Sequence, residues 1–450
     1  MKKFLNQSKW ARWTALAIVS VTMFCGYFFT DVMAPLKPML ESELGWNSND
    51  YGLFTSAYGW FNIFFLMLIF GGIILDRMGM RFTGILSAGI MLLGAGIKYW
   101  AISTAFPEGA TILGVKSQVA FASVGFATFG VGVEVAGVTV TKIIVKWFKG
   151  KEMALAMGLQ VGVARIGTTL SMAAPIPLAE HFGSISAPLL VCVIVLCIGF
   201  LSFLVYGVMD KRLDRELGID KNASREDEFK LADIGFILKN KGFWLIALLC
   251  LLFYSGVFPF LKYAVDLMVN KFHVQPAFAG NISAILPFGT LLLTPVFGHL
   301  YDRIGRGAGM MILGAALLTL IHVTFALPFV HFWLIAVILM VLLGIAFSLV
   351  PSAMWPSVPK IIPEKQLGTA YSLIFFIQNF GLSGVPFIIG KMLNSYCITG
   401  VNAEGGNTYD YTLPMLTFAV LGGLSVLVAL ALKVEDSKKG YGLELPNTRK

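Results

Sequence analysis

Two ionisable residues stand inside long apolar runs, where an isolated charge is costly enough to imply a purpose. Glu134 lies in Gly130-Val131-Gly132-Val133-Glu134-Val135-Ala136, and Arg165 in Gly162-Val163-Ala164-Arg165-Ile166-Gly167. The planar fork of an arginine binds a carboxylate through two parallel hydrogen bonds, and a glutamate suits an ammonium group. Both runs read as helices joined by a turn around 147–151. Counted from Trp147, Glu134 is 13 residues back and Arg165 is 18 forward. At about 1.5 Å per residue their depths differ by roughly 7 Å. The two can pair directly and fix helix packing, or grip the two ends of one small ligand. The small Gly and Ala neighbours leave room for the ligand.

Three more charges fall in apolar runs. Asp31, in Tyr27-Phe28-Phe29-Thr30-Asp31, stands near the outer end of the first run, and Lys262 has a similar place in the seventh. Each reads as a cavity-lining or cross-pairing charge, or as one at the outer edge. Lys98, near the outer end of the third run, reads as a lysine snorkelling to the interface. Gln378, Asn379 and Trp355 are further candidates for lining a central site, although such residues often serve as interhelical glue. The five histidines have no metal-ligand spacing, and the five cysteines no CxxC pattern. There is no nucleophile–base motif and no phosphate-binding glycine loop. The expectation is a protein that binds without catalysing, with no cofactor and no metal.

The composition decides what must position these groups. Of 450 residues 57% are hydrophobic and 13% charged, against roughly 25% charged in a soluble domain. Apolar runs near the 20 residues that span a bilayer occur at 13–36, 51–75, 82–104, 117–141, 153–178 and 186–208. They resume at 243–268, 277–300, 308–329, 332–352, 368–393 and 412–432. The expected fold is an all-α membrane protein of twelve transmembrane helices. The net charge of +9 is clustered beside the apolar runs, as on the cytoplasmic side of membrane helices, rather than in a nucleic-acid patch. With both termini cytoplasmic, all basic residues but Lys37, Lys98, Lys116, Arg165, Lys262, Lys271 and Lys391 fall in cytoplasmic segments. The basic, then apolar, beginning reads as a retained first helix rather than a signal peptide. The densely charged stretch 210–241 separates two expected bundles, 1–209 and 242–450, as a cytoplasmic linker.

One motif occurs twice, 226 residues apart. The first copy reads Gly72-x-x-x-Asp76-Arg77-x-Gly79-x-Arg81, and the second Gly298-x-x-x-Asp302-Arg303-x-Gly305-Arg306. Each follows the second helix of its half. The glycines permit close helix approach. The aspartates can accept from a neighbouring helix end and pair with arginine, so the two copies suit a cytoplasmic gate.

These residues resemble the loop signature of the major facilitator superfamily. The resemblance implies two pseudo-symmetric six-helix bundles around a central cavity, with alternating access by rocking. Further blocks narrow it. The chain reads Lys146-Trp147-Phe148-Lys149-Gly150-Lys151-Glu152, Gly158-Leu159-Gln160, Ala164-Arg165-Ile166-Gly167 and Val257-Phe258-Pro259-Phe260. Later come Gln366-Leu367-Gly368-Thr369-Ala370-Tyr371 and Ile377-Gln378-Asn379. Together they resemble the lysosomal dipeptide transporter family and its bacterial relatives.

That resemblance implies a dipeptide carrier, with Glu134 for the peptide's amino group and Arg165 for its carboxylate. The roughly 5–7 Å between a dipeptide's charged ends fits the depth offset. Where the superfamily carries a basic residue in the fourth helix this chain has Phe126, which favours facilitated diffusion over proton coupling. Residues 1–10 lack an acidic dileucine sorting signal, so the expected location is a bacterial cytoplasmic membrane. The expected partners are a small-molecule substrate and the lipid bilayer, with the protein as a monomer. Competing expectations are an organic-anion or amino-acid carrier clamping anions with Arg165 and Lys262, and a transporter-like receptor or scaffold without flux.

Overall fold

An apolar run in lipid has no water to satisfy its peptide groups, so it coils into helix. The computed structural model, which describes residues 5–148, 152–217, 231–363, 366–402 and 405–446, is built almost wholly this way. In the N-terminal half the helices are α1 (Lys9–Thr30), α2 (Lys37–Leu44), α3 (Ser48–Ser56), α4 (Trp60–Phe64) and α5 (Met67–Ser103). They continue with α6 (Ser117–Phe148), α7 (Met153–Ala173), α8 (Pro175–Phe182) and α9 (Ala187–Leu217). The short α10 (Leu231–Leu238) precedes α11 (Lys241–Phe272), α12 (Pro276–Ile304), α13 (Gly307–Ala326), α14 (Trp333–Ile361), α15 (Leu367–Tyr396) and α16 (Thr412–Lys439). Two hairpins, β1 (Thr111–Ile112) with β2 (Val115–Lys116) and β3 (Ile398–Val401) with β4 (Asn407–Tyr409), cap loops.

Ten helices are long and apolar enough to cross a membrane, and two bent pairs bring the spans to twelve. The bent pairs correct the expected second and fifth spans. The second is interrupted between α4 and α5, where Leu66 is left-handed (φ 53°) and the axis turns by 56°. Within α5 the backbone leaves helical geometry at Gly79 (φ 80°, ψ 168°), so the second and third spans meet there at a sharp turn that glycine makes without the strain of a β-carbon. The fifth breaks at Ala174, ahead of Pro175, with a bend of 48°. The charged linker begins inside α9, which reaches Leu217; residues 218–230 lie outside the described residues.

The spans pack as two six-helix bundles. In one, α1 lies against α6, α7 and α9, and α5 against α6 and α9; in the other, α11 lies against α15 and α16, and α13 against α14 and α16. The halves meet along α3 with α15 and α7 with α12. The first contact is as close as backbones allow. A β-carbon on Gly52 would lie 2.8 Å from the Gly390 Cα, so only glycine fits there.

An even number of spans puts both termini on one face. At the far face, charges tie the halves together. Lys37 of α2 donates to Glu41 at 2.8 Å and across to Asp266 of α11 at 2.7 Å, with no exposure of the lysine. Ser48 and Tyr409 also donate to Glu41, and Tyr411 to Asp266. Burial pushes the Tyr409 phenol up to about 12, so it remains a donor. At the terminal face the ion pairs Arg12–Glu152, Arg81–Asp214 and Lys241–Glu435 each stay within one half. Gly72 and Gly298, expected to permit close helix approach, have open space where a β-carbon would go. The halves are therefore drawn together at the far face, and among the described residues nothing packs where a β-carbon of Gly72 or Gly298 would stand.

Candidate substrate site

The site starts from Glu134, on the face of α6 that meets the short 3-10 turn Ala57–Gly59. Gly130, one turn before Glu134, lets the Tyr58 carbonyl in; a β-carbon there would lie 2.1 Å from that oxygen. The close approach seats Tyr58 beside the carboxylate, and its hydroxyl donates to Glu134 Oε1 at 2.7 Å. The second carboxylate oxygen has no hydrogen bond among the described residues.

Arg165 projects from α7 toward the other half. Its guanidinium lies 5.2 Å from the Phe347 ring centre and 5.8 Å from that of Phe258. These rings belong to α14 and α11, so the arginine stacks across the bundle interface. No acidic group among the described residues lies within ion-pair distance of it. The direct Glu134–Arg165 pair that the sequence allowed is thus not formed, and both charges keep bonding capacity. Both are half-buried rather than sealed. Tyr27 of α1 lies within Coulombic range of Glu134, Arg165 and Asp31.

The opposite wall is aromatic. Tyr254 packs on Phe258, Phe347 and Trp355, and the Trp355 indole donates to its hydroxyl at 2.8 Å. Gln378 and Asn379 sit buried on α15, and each has a side-chain oxygen with no partner among the described residues. The Asn379 amide donates to the Phe375 carbonyl, while its oxygen approaches Gly59, next to Tyr58. Arg165 and Asn379 thus reach across the bundle interface, Arg165 to Phe258 and Phe347 and Asn379 to Gly59, while Trp355 packs among Tyr254, Tyr371 and Phe375 within the C-terminal half.

Asp31 and Lys262 are brought to each other instead. They form an ion pair joining the end of α1 to α11, and Lys262 also donates to the Thr30 carbonyl at 3.3 Å. The Tyr51 hydroxyl adds a bond to the Lys262 carbonyl at 2.7 Å. Lys98 corrects the snorkelling expectation: it is fully buried, with three phenyl rings around its ammonium. The signals that sequence reasoning missed were Tyr58, Tyr254 and Phe347, which carry no charge to set them apart from other apolar-run aromatics.

In the repeated motif, Gly79 and Gly305 both have positive φ, 80° and 73°. Arg81 reaches Asp214 at 3.2 Å and Asp210 at 3.9 Å, on the charged end of α9. In the second copy Arg306, at φ 59°, donates its backbone N–H to the Glu444 carbonyl, with Arg303 and Arg306 exposed. The side chain of Asp76 and residues 149–151 lie outside what is described; Arg77 is exposed and Asp302 half-buried.

Twelve spans in two bundles, with unspent charges and an aromatic wall between them, define a multi-pass carrier rather than an enzyme. The family model described as Major Facilitator Superfamily matches residues 19–267 and 260–447. The chain belongs to this superfamily. It is 29% identical over 396 residues to the human lysosomal dipeptide transporter MFSD1, covering 85% of this chain and 80% of that one. The chicken protein of the same name is 34% identical over 283 residues, 60% and 62% of the two chains. In structure the chain is similar to a bacterial homologue of the human lysosomal transporter Spinster, caught inward-facing and occupied. That match has a TM-score of 0.68 and 14% identity over 96% of this chain and 98% of that one, a likeness of fold alone. The lysosomal relatives give no support to the bacterial location expected from sequence; multi-pass membrane residence is what they share with this chain.

Proposed function

We propose that this transporter carries dipeptides, with Glu134 binding the free amino group and Arg165 the free carboxylate. The observation that carries the reading is the separation of these two half-buried, opposite charges, each with bonding capacity left over. A buried charge with no partner is expensive, so a zwitterion that supplies both counter-charges gains affinity from both. The aromatic wall of Tyr254, Phe258, Phe347 and Trp355 suits the substrate's side chains, and the Gln378 and Asn379 oxygens suit its peptide N–H. Similarity to the dipeptide transporter MFSD1 over most of both chains supports the same substrate class.

Transport proceeds in this reading by rocking of 1–209 against 242–450, with 210–241 as the cytoplasmic linker and the terminal face cytoplasmic. The repeated motif acts as the terminal-face gate: in this far-face-closed structure nothing among the described residues packs on Gly72 or Gly298, as expected if their partners arrive only when that face shuts. With Phe126 where a basic residue is expected, flux is facilitated diffusion by a monomer. The competing anion-clamp reading needs Lys262 free, whereas Asp31 holds it.

A ligand-stabilisation screen on purified protein tests the substrate class, since binding to the native state raises its apparent stability by about 2.7 kcal/mol at a hundred-fold excess over Kd. Free dipeptides are expected to raise the melting temperature, and organic anions lacking an amino group to leave it unchanged. Stabilisation by anions alone contradicts the proposal.

A further inference from the structure

Lys98 is the charged group for which the site has no use. It belongs to α5, has no exposed surface, and its Nζ has no hydrogen-bond partner among the described residues. The ammonium lies 4.3 Å from the Phe29 ring centre, 4.5 Å from that of Phe126 and 5.2 Å from that of Phe54. Three rings favour a cation, yet they leave three N–H donors empty. Lysine is a flexible point charge whose donors can be redirected, so the arrangement fits a residue waiting for a partner.

Two observations say which partner. The Phe126 ring that borders Lys98 also lies 5.4 Å from the Lys262 ammonium, so the two lysines share one ring. Asp31, which holds Lys262, stands two residues beyond Phe29 at the end of α1, and Lys98 lies within Coulombic range of both members of that pair, the repulsion from Lys262 being the stronger. One carboxylate therefore has two candidate cations. Lys262 belongs to α11 and moves with the C-terminal bundle, whereas Lys98 and Asp31 belong to the same bundle and stay together.

The far-face ties make the difference consequential. When the far face opens, Lys37 keeps Glu41, four residues on in its own helix, and Asp266 keeps Tyr411 and Asn270. Asp31 has no second side-chain partner among the described residues, and its ion-pair partner leaves with the other half. A buried carboxylate stripped of its partner is strongly destabilising. We propose that Lys98 is a positioning residue of the transport cycle: it takes over the Asp31 carboxylate from Lys262 as the far face opens and returns it on closure. The exchange keeps Asp31 paired in both states, and Lys262 emerges into the opening vestibule, where water can solvate it. The proposed substrate contacts are Glu134 and Arg165, so the inference stands apart from the substrate assignment.

The test reads far-face opening without any substrate. A cysteine is placed at Thr30, whose carbonyl Lys262 contacts, and labelled from the far side by a membrane-impermeant maleimide in protein lacking the native cysteines. Lys98→Met is expected to slow labelling at least about ten-fold, because the open state then holds an orphaned carboxylate. Lys98→Arg is expected to preserve it. The decisive comparison is Asp31→Asn alone against Asp31→Asn with Lys98→Met, because Asp31→Asn by itself loosens the far-face tie to Lys262. If Lys98 serves the Asp31 carboxylate, Lys98→Met has no further effect on labelling once that carboxylate is gone. A merely structural lysine predicts the same slowing in both backgrounds. Lys98→Gln replaces Lys98→Met if the latter fails to fold, as judged by melting temperature. Unchanged labelling in the single Lys98 variant, or equal slowing with and without the Asp31 carboxylate, overturns the proposal.

Discussion

Tyr58 shows how a neutral residue sets the chemistry of a charged one. Its hydroxyl occupies one oxygen of Glu134 and leaves the other for a ligand, an arrangement that exists because Gly130 admits the Tyr58 backbone. Tyr58→Phe removes that hydrogen bond and frees the carboxylate to turn. The expected loss is about 1 kcal/mol of substrate binding, roughly five-fold in Kd, measured by titration calorimetry with the protein still folded; an unchanged Kd separates Tyr58 from the site. Glu134 and Arg165 were legible in the sequence because a charge amid valines and glycines has few explanations. Their relation was not, since a depth offset along two helices does not say which way either side chain turns. Lys98 was misread for a related reason. Its place near a helix end is compatible with reaching the interface, and only the packing of Phe29, Phe54 and Phe126 from three other helices encloses it.

At the scale of elements, the spans were visible wherever polar residues or prolines punctuated the apolar runs. The break at Leu66 was not, because Phe64-Phe65-Leu66-Met67 carries neither glycine nor proline, and a left-handed leucine is a tertiary outcome. The far-face seal was equally hidden: Lys37 and Asp266 are 229 positions apart, and no local pattern joins them. Closure there depends on α3 and α15 touching at Gly52 and Gly390, whereas the repeated motif is proposed to close the opposite face. Substitutions at the two places are expected to act in opposite senses. Gly52→Leu cannot be accommodated against the Gly390 backbone, so it should hold the far face open and raise labelling of a Thr30 cysteine several-fold. Asp302→Asn weakens the terminal-face gate, should lower that labelling, and should slow transport more than it weakens binding. Shifts in the same direction would show that the two contacts do not belong to opposite states.

For the whole molecule, the arrangement amounts to two bundles whose shared surfaces differ at the two faces, and the proposed rocking closes one face as the other opens. Here the far face is tied by Lys37–Asp266 and Asp31–Lys262, and Arg165 lies against the Phe258 and Phe347 rings of the other half. The central claim is that these two charges hold opposite ends of one zwitterion. The most direct measurement crosses Glu134→Gln and Arg165→Gln with three peptides: free, N-acetylated and C-terminally amidated. Each charge-assisted contact contributes roughly 1.5–3 kcal/mol, or about 10- to 150-fold in affinity. Arg165→Gln should abolish binding of the free peptide, yet add little to the loss already suffered by the amidated one; Glu134→Gln should behave likewise with the N-acetylated one. Melting temperatures are read beside the affinities. Equal losses for every peptide, accompanied by a fall in melting temperature, would mean that the two charges only hold helices together, and would contradict the account.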